Sequence, residues 1–325
     1  MGLLVPVAET ILAEHRYKKI TGNVLFIGRQ TTYLDEPSLG RLLNKYGLTV
    51  PPGFKYEYDT ETRGANGLRL ITDRCFMRSI GVEKTDFLDV TDYEGAEIVH
   101  DLGYPVPSSM TERYDFIYNG GCFDNMFNPG VAIINLSKML RPGGRVVCLE
   151  SASSWNTPYL MFSPAWFWDY YVTNAFTDCK IYMASYHDSD DLFFGPCHWF
   201  SVNVMGHRNG ASPEAIENNH LVLITVAEKG RDSTTERQPI QDQYRVDSAL
   251  RAEFEEKVAA MRRCPRPIIP GTEEKNSYEA YLTPLGKIGV GVHPAPHVRR
   301  FKKFVRRNQR ALQIVGKIMK RELTY

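Results

Sequence analysis

The feature that most restricts the fold of this chain is a series of short apolar segments bounded by glycine and proline. Continuous apolar segments are typical of strands in a parallel sheet that is covered on both faces. Stretches with apolar residues at helical spacing lie between several of them. The predicted strands are residues 23–28, 85–90, 96–102, 114–118, 144–150, 180–186 and 220–228, and the predicted helices are residues 38–46, 129–140 and 164–174.

Strands that alternate with helices predict right-handed βαβ units. The predicted fold class is therefore α/β, with a doubly wound, mostly parallel seven-stranded sheet and a C-terminal helical extension. The last two strands are separated by the irregular residues 206–219. We expect these two strands to form an antiparallel pair at the sheet edge.

The sequence changes character after residue 228, where a polar stretch rich in turn-forming residues begins. Three regions are predicted: a main domain over residues 1–230, a helical and loop extension over 231–296, and a basic helix over 297–325. Within the extension, residues 247–263 predict an amphipathic helix. Residues 264–271 contain three prolines and cannot be helical, and residues 277–296 are expected to be loop.

The charge distribution is strongly uneven, although the total is only +1. Residues 297–325 contain ten lysines and arginines and one acid, whereas the rest of the chain has 29 basic and 37 acidic residues. This basic tail has three interpretations: a helix docked on the acidic body, a peripheral contact with an anionic membrane, or a nucleic-acid arm. Nucleic acid is the least favoured of the three.

The six cysteines form no Cys-x-x-Cys pair, and in a chain of this length they do not indicate a disulfide framework. The N-terminal residues lack the basic start of a secretory signal, and no run of 18 apolar residues is present. A reducing, cytoplasmic location is predicted, with the membrane-peripheral alternative left open by the basic tail.

Polar and small residues follow the predicted strands, where ligands of open parallel sheets bind. Gly28, Arg29 and Gln30 follow the first strand, and Asp89 ends the second. His100, Asp101 and Leu102 are the last residues of the third strand, and Asn119, Gly120 and Asp124 follow the fourth. The sequence therefore predicts a site at this edge of the sheet.

Four segments within residues 20–230 read VLFIG, FLDVTDYEGAEIVHDLGYPVP, YDFIYNGGCFDNMFNP and MLRPGGRVVCLES. Together they resemble the class I S-adenosylmethionine-dependent methyltransferases, in particular those of surface-polysaccharide and secondary-metabolite synthesis. The resemblance implies a Rossmann-like fold and S-adenosylmethionine as cofactor. It also implies methyl transfer to a small molecule, such as a sugar or nucleotide-sugar hydroxyl or amine.

The resemblance also implies roles for individual residues. Asp89 would hold the ribose hydroxyls, Asp101 would lie near the adenine amino group, and Asp124 would act as a general base. The implied cofactor-binding residues are Gly28, Arg29, Gln30, Asp89, Asp101, Leu102, Asn119 and Gly120. Simpler interpretations remain for the acids: Asp89 as a solvated strand end, Asp101 as a turn residue and Asp124 as a helix N-cap.

The chain departs from the family pattern at several positions. Gln30 and Thr32 stand where the first motif usually has glycines, and Asn125 and Thr157 stand where related proteins have histidines. An alternative is therefore a methyltransferase-like protein that binds a nucleotide or a partner without catalysing. The spacing of the histidines at 187, 198, 207 and 220 matches no known ligand pair, and no metal site is predicted.

Overall fold

The computed structural model describes residues 2–62, 69–153, 158–186, 197–202, 204, 220–272 and 277–278. The basic tail and nearly all of the predicted loop over 277–296 lie outside these residues, so the expectations for them stay predictions. Ser154, Trp155, Thr157, His187 and His207 also lie outside.

Within the described residues, nine strands form one sheet. They are β1 (Val24–Ile27), β2 (Thr85–Asp89), β3 (Ile98–Val99), β4 (Tyr114–Gly120), β5 (Leu140–Ser151), β6 (Asp178–Tyr186), β7 (Cys197–Ser201), β8 (His220–Glu228) and β9 (Ser277–Tyr278). The described helices are α1 (Val5–Tyr17), α2 (Glu36–Lys45), α3 (Asp73–Ser79), α4 (Pro129–Met139), α5 (Pro164–Thr173) and α6 (Ser248–Arg262).

The strand order is β3-β2-β1-β4-β5-β8-β6-β7-β9. Strands β1 to β5 are parallel to one another, and the remaining neighbours pair antiparallel. The predicted antiparallel pair is confirmed as β6 and β8. It is not at the edge, because β8 lies between β5 and β6, and the unpredicted strands β7 and β9 extend the sheet beyond β6.

Helices cover both faces of the sheet, which confirms the predicted doubly wound α/β class. Val24 and Phe26 of β1 pack in one core with residues of α1, α2 and α3. The alternate residues Leu25 and Ile27 pack in a second core with residues of α4, α5 and α6. A strand buried on both faces needs apolar residues at every position, and this explains the continuous apolar segments in the sequence.

The residues beyond β8 return to the sheet. Phe254, Val258 and Met261 of α6 are buried against the α5 side, as the predicted apolar face requires, whereas Leu250 is 45% exposed. The proline-rich residues after α6 are not helical, and Ile269 is buried in the core on the α1 side. No helix among the described residues is both long and apolar enough to cross a membrane.

Candidate functional site

A cleft of about 670 Å³ opens at the carboxyl ends of β1, β2 and β4. It lies where the chain order reverses, with β2 on one side of β1 and β4 on the other, which is the usual place for a ligand in an open α/β sheet. The volume lies within the range of small-molecule sites. Seven of the eight predicted cofactor residues line it: Gly28, Arg29, Gln30, Asp89, Asp101, Leu102 and Gly120.

Two glycines shape the floor of the cleft for different reasons. Gly28 has a φ of +69°, a backbone conformation that residues with a side chain rarely adopt. Gly120 has no such φ, but a Cβ added there would lie 2.0 Å from Oε1 of Gln30. Gly28 is therefore required by the backbone and Gly120 by the space that Gln30 fills.

The side chain of Gln30 lies across the tips of β1 and β4. Its Nε2 donates to the carbonyl oxygens of Ile27 at 2.9 Å and Gly28 at 3.3 Å. Its Oε1 is buried and accepts no hydrogen bond in the structure. The Gln30 side chain thus fills the space beside Gly120, and its oxygen is buried there without a hydrogen-bond partner among the described residues.

We expect Gly120→Ala to lower the free energy of unfolding by about 1–3 kcal/mol, because the added methyl collides with a tethered, buried amide. The substitution should cost far less in a Gln30→Gly background, where the space is open. The coupling between the two changes is expected to be about 1–2 kcal/mol in a double-mutant cycle by urea unfolding.

Gly40→Ala is the matched control for this cycle, since a Cβ at Gly40 meets nothing within 4 Å. It should be neutral or stabilising in a helix, and its effect should not depend on residue 30. Equal costs of Gly120→Ala in the two backgrounds would contradict the steric explanation.

Arg29 and Gln30 are held by Asp73, the first residue of α3, whose side chain is fully buried. Its carboxylate accepts from the backbone N–H of Gln30 at 2.8 Å and pairs with the Arg29 guanidinium at 3.1 Å. Burial raises the pKa of Asp73, and the Arg29 hydrogen bond and charge oppose that shift. The guanidinium also pairs with Glu61, at 2.7 Å. Arg29 therefore lines the cleft with its charge already neutralised.

The acidic side of the cleft is formed by Asp89 and Asp101. Asp89 ends β2, and its Oδ1 accepts from the backbone N–H of Val90 at 2.6 Å. Asp101 accepts from the backbone N–H of Gly103 at 2.8 Å, so it does form the turn that was the simpler interpretation. Both carboxylates nevertheless line the cleft.

Asn119 and Asp124 lie outside the lining of the cleft and support its floor through Glu150 of β5. The fully buried Glu150 carboxylate accepts from Asn119 Nδ2 at 2.6 Å and from the backbone N–H groups of Phe123 at 3.2 Å and Asp124 at 2.9 Å. Burial raises the pKa of Glu150 well above its usual value. These bonds fix the turn that follows β4.

Asp124, the predicted general base, is only 2% exposed. Its carboxylate accepts from the backbone N–H of Ser151 at 3.1 Å and from Asn125 Nδ2 at 2.7 Å. Burial raises its pKa, and the Ser151 hydrogen bonds oppose that shift. The structure places Asp124 between the tips of β4 and β5, with both oxygens engaged, rather than in the cleft.

The loop after β1 differs from the arrangement expected of a glycine-rich motif. No helix begins directly after Gly28, because α2 starts only at Glu36 with its own N-cap, Asp35. Thr32 forms a β-bridge with Leu3 and donates to the carbonyl oxygen of Ile71. No helix N-terminus therefore offers amide donors to a ligand directly after β1, because α2 does not line the cleft.

Exposed apolar side chains form a rim at one end of the cleft. Phe127 lines the cleft and is 92% exposed, and Tyr159 is 71% exposed. The centroids of their two rings lie 6.2 Å apart, in an edge-to-face arrangement. The segment carrying Tyr159 is tied to the turn after β4, since Leu160 donates its backbone N–H to the Asp124 carbonyl at 3.2 Å. Sequence reasoning missed this rim, although exposed aromatics near a cleft commonly mark a binding surface.

Among the described residues, no group of three or more histidine, cysteine, aspartate or glutamate side chains is placed to hold a metal ion. His187, His207 and the acids at 188, 190 and 191 lie outside them. His220 is the first residue of β8.

Comparison with known proteins found no matching protein-family model and no matching curated protein. Among solved structures, the chain is similar to the CMeT domain of the citrinin polyketide synthase, with 14% identity, a TM-score of 0.36, and coverage of 69% of this chain and 52% of that chain. The chain thus spans about half the length of that structure.

Two further similar structures come from bacteria. One is the Burkholderia thailandensis 1,6-didemethyltoxoflavin-N1-methyltransferase, at 13% identity and TM-score 0.32, covering 68% of this chain and 76% of that one. The other is a Thermotoga maritima SAM-dependent methyltransferase, described as a possible histamine N-methyltransferase, at 14% identity and TM-score 0.33, covering 69% and 89%. At such scores the likeness assigns no activity to this chain.

Proposed function

We propose that the protein transfers a methyl group from S-adenosylmethionine to a small-molecule acceptor. The observation that carries this proposal is the cleft at the point where the strand order reverses. The predicted acids and glycines at the ends of β1, β2, β3 and β4 line this cleft together. A nucleoside needs hydrogen-bond acceptors for its ribose hydroxyls and an apolar contact for its base. In this cleft Asp89 can supply the first and Leu102 the second.

The residues present fit a cationic nucleoside cofactor. Asp89 is the candidate acceptor for ribose hydroxyls, and Asp101 is the candidate partner of the base. When bound, S-adenosylmethionine supplies an electrophilic methyl group on a sulfonium. The task left to the protein is to hold the acceptor in line, which is catalysis by proximity.

The residues at the end of the cleft proposed for the methyl acceptor are suited to positioning that acceptor. Cys122 lines the cleft, and burial raises the pKa of its thiol, so that it stays protonated and does not compete for the methyl group. Asn125 Nδ2 donates to the Gly121 carbonyl at 2.8 Å and to Asp124. We propose Asp124 as a positioning residue that acts through Asn125 and Ser151.

The proposed acceptor is a sugar or nucleotide sugar, methylated at a hydroxyl or an amine. The rim of Phe127 and Tyr159 would pack against the apolar face of a sugar ring, and it would equally accept an aromatic ring. An acceptor screen should therefore include nucleotide sugars and aromatic amines. Phe127→Ala is the variant that tests whether the rim contacts the acceptor.

Calorimetric titration with S-adenosylhomocysteine tests the proposal. We expect measurable binding that Asp89→Ala weakens by about tenfold to a hundredfold, as loss of a hydrogen bond to a charged group implies. Asp92→Ala, on a nearby exposed acid, should leave the affinity unchanged. Absence of binding by a folded protein would refute the proposal.

A second candidate is a methyltransferase-like protein that binds a nucleoside without catalysing. The Gln30 side chain over Gly120 favours it, because that amide occupies space next to the glycines. Adenosine binding without any binding of S-adenosylhomocysteine would support this candidate over the first.

A further inference from the structure

The turn after β4 brings an exposed amide side chain, that of Asn125, to the cleft. Its Nδ2 donates to the Gly121 carbonyl oxygen at 2.8 Å and to Asp124 Oδ1 at 2.7 Å. A backbone carbonyl oxygen only accepts hydrogen bonds, so the nitrogen of the amide must face it, and both N–H groups of that nitrogen are engaged. The atom of Asn125 that remains for a ligand is Oδ1. A ligand that bonds to this side chain must therefore bring a donor.

No accessible base lies at this turn among the described residues. Glu150 is fully buried, and Asp124 is 2% exposed with both of its oxygens accepting hydrogen bonds. Burial raises the pKa of the Cys122 thiol, which therefore stays protonated near neutral pH. Asn125 is an amide and takes up no proton there. An acceptor bound at this turn has to react without giving its proton to a side chain of the turn.

The carboxylates and the histidine among the described lining residues of the cleft lie on the other side of β1. Asp89 ends β2, and His100 and Asp101 follow β3, whereas the turn follows β4. A hydroxyl needs a base to become a good nucleophile, and an alkylammonium group must lose a proton before it can react. An amine on an aromatic ring has a free lone pair near neutral pH. The turn after β4 thus suits a neutral aromatic amine.

The charges of the cleft disfavour an acceptor that carries a phosphate or a carboxylate. Arg29 is the one lysine or arginine among the described lining residues, and its guanidinium is paired with Asp73 at 3.1 Å and Glu61 at 2.7 Å. An anionic acceptor would meet the Asp89 carboxylate in the same cleft, and like charges repel. A neutral acceptor avoids this repulsion.

The exposed aromatic rim supplies the contact for a ring. Phe127 lies two residues after Asn125, lines the same cleft and is 92% exposed. Its ring already has an edge-to-face neighbour in Tyr159, and aromatic side chains favour such contacts with further rings. The turn after β4 therefore carries both a surface for an aromatic ring and an acceptor for the N–H of its amine.

We propose that the methyl acceptor is a neutral aromatic amine whose ring packs against Phe127 and whose N–H donates to Asn125 Oδ1. Transfer forms the nitrogen–carbon bond as the sulfur–methyl bond breaks and leaves its electron pair on sulfur. The methylated nitrogen then releases its proton to water. This inference rests on the proposed function, and it selects one class from the acceptors named there.

Three probes built on one ring test the binding part of this proposal: 6-aminoquinoline, quinoline and quinoline-6-carboxylate. Calorimetric titration of the full chain saturated with S-adenosylhomocysteine reports binding without turnover. We expect the amine to bind about threefold to tenfold more tightly than quinoline, as one neutral hydrogen bond implies. The carboxylate should bind about tenfold more weakly than the amine. With S-adenosylmethionine, mass spectrometry should detect methylated 6-aminoquinoline, and no methylation of quinoline or 6-hydroxyquinoline.

Substitutions separate the two contacts. Asn125→Leu removes the acceptor atom and should bring the affinities for the amine and quinoline to within about twofold of each other. Phe127→Ala should weaken both probes by a similar factor and preserve their ratio. Asn44→Leu is the matched control, because Asn44 is exposed and lies outside the cleft, and it should change neither affinity. Thermal unfolding establishes that each variant is folded, and Asn125→Ala replaces Asn125→Leu should the latter unfold.

The outcomes distinguish this inference from the proposed function. Binding of S-adenosylhomocysteine with no preference for the amine, or a preference that persists in a folded Asn125 variant, overturns the inference and leaves the proposed function standing. Methylation of 6-hydroxyquinoline or of a nucleotide sugar in place of the amine has the same meaning. Failure of the wild-type protein to bind S-adenosylhomocysteine overturns both.

Discussion

Replacement of Arg266 by methionine is expected to lower the free energy of unfolding by about 3–5 kcal/mol. The Arg266 side chain is 1% exposed and pairs with Asp178 at 2.9 Å, Glu14 at 3.1 Å and Glu228. Its removal takes one cation from each of three carboxylates, on α1, β6 and β8, which keep Arg145, Lys180 and Lys18 as their partners. Urea unfolding of the full chain measures the loss.

Arg262→Met is the control for this experiment, because it removes an exposed arginine from the end of α6. Its effect should stay within about 0.5 kcal/mol. Burial raises the pKa of Glu14 and of Asp178, and loss of the arginine charge should raise them further. If Arg266→Met loses no more stability than Arg262→Met, the ion pairs of Arg266 do not stabilise this fold.

The second large effect is expected at Asp73. Asp73→Ala removes the buried carboxylate that pairs with Arg29 and accepts the Gln30 N–H, and it leaves that guanidinium with only the half-exposed Glu61 as an acidic partner. We expect a loss of about 3–5 kcal/mol in the free energy of unfolding. Because the loop carrying Gln30 loses its anchor, S-adenosylhomocysteine affinity should fall as well.

Asp73→Asn distinguishes the charge from the hydrogen bond to Gln30. It keeps one acceptor oxygen, so it should cost less than Asp73→Ala. Asp92→Ala again serves as the exposed control. If Asp73→Ala retains full ligand affinity and stability, the anchoring role assigned to Asp73 is wrong.

The parallel half of the sheet could be predicted from the sequence because of where it lies. β1, β4 and β5 are largely buried on both faces, and each contains an uninterrupted apolar run of three or four residues that ends at Gly28, Asn119 or Glu150. β7 was missed, although Cys197, Trp199 and Phe200 form a short run of buried, strand-favouring residues. α1 was missed too, because its buried Glu9 interrupts the apolar run and is paired with Lys45, far along the chain.

The candidate site could be predicted only as far as local patterns extend. The strand ends predicted the lining of the cleft, including Gly28, Asp89 and Gly120. The partners of buried charges could not be predicted, because Asp73 lies 44 residues from Arg29 and Glu150 lies 26 residues from Asp124. For the same reason the sequence did not predict that Asp124 is buried and accepts a hydrogen bond from Ser151, which lies far from it in the chain.

The space between residues 30 and 120 holds one side chain and not two. In homologous chains we therefore expect correlated substitutions: a glycine at 30 would permit alanine at 120, whereas a glutamine at 30 would require glycine there. Gly28 should not take part in this exchange, since its backbone conformation demands glycine whichever residue stands at 30. Two neighbouring glycines of one cleft would thus evolve under different rules.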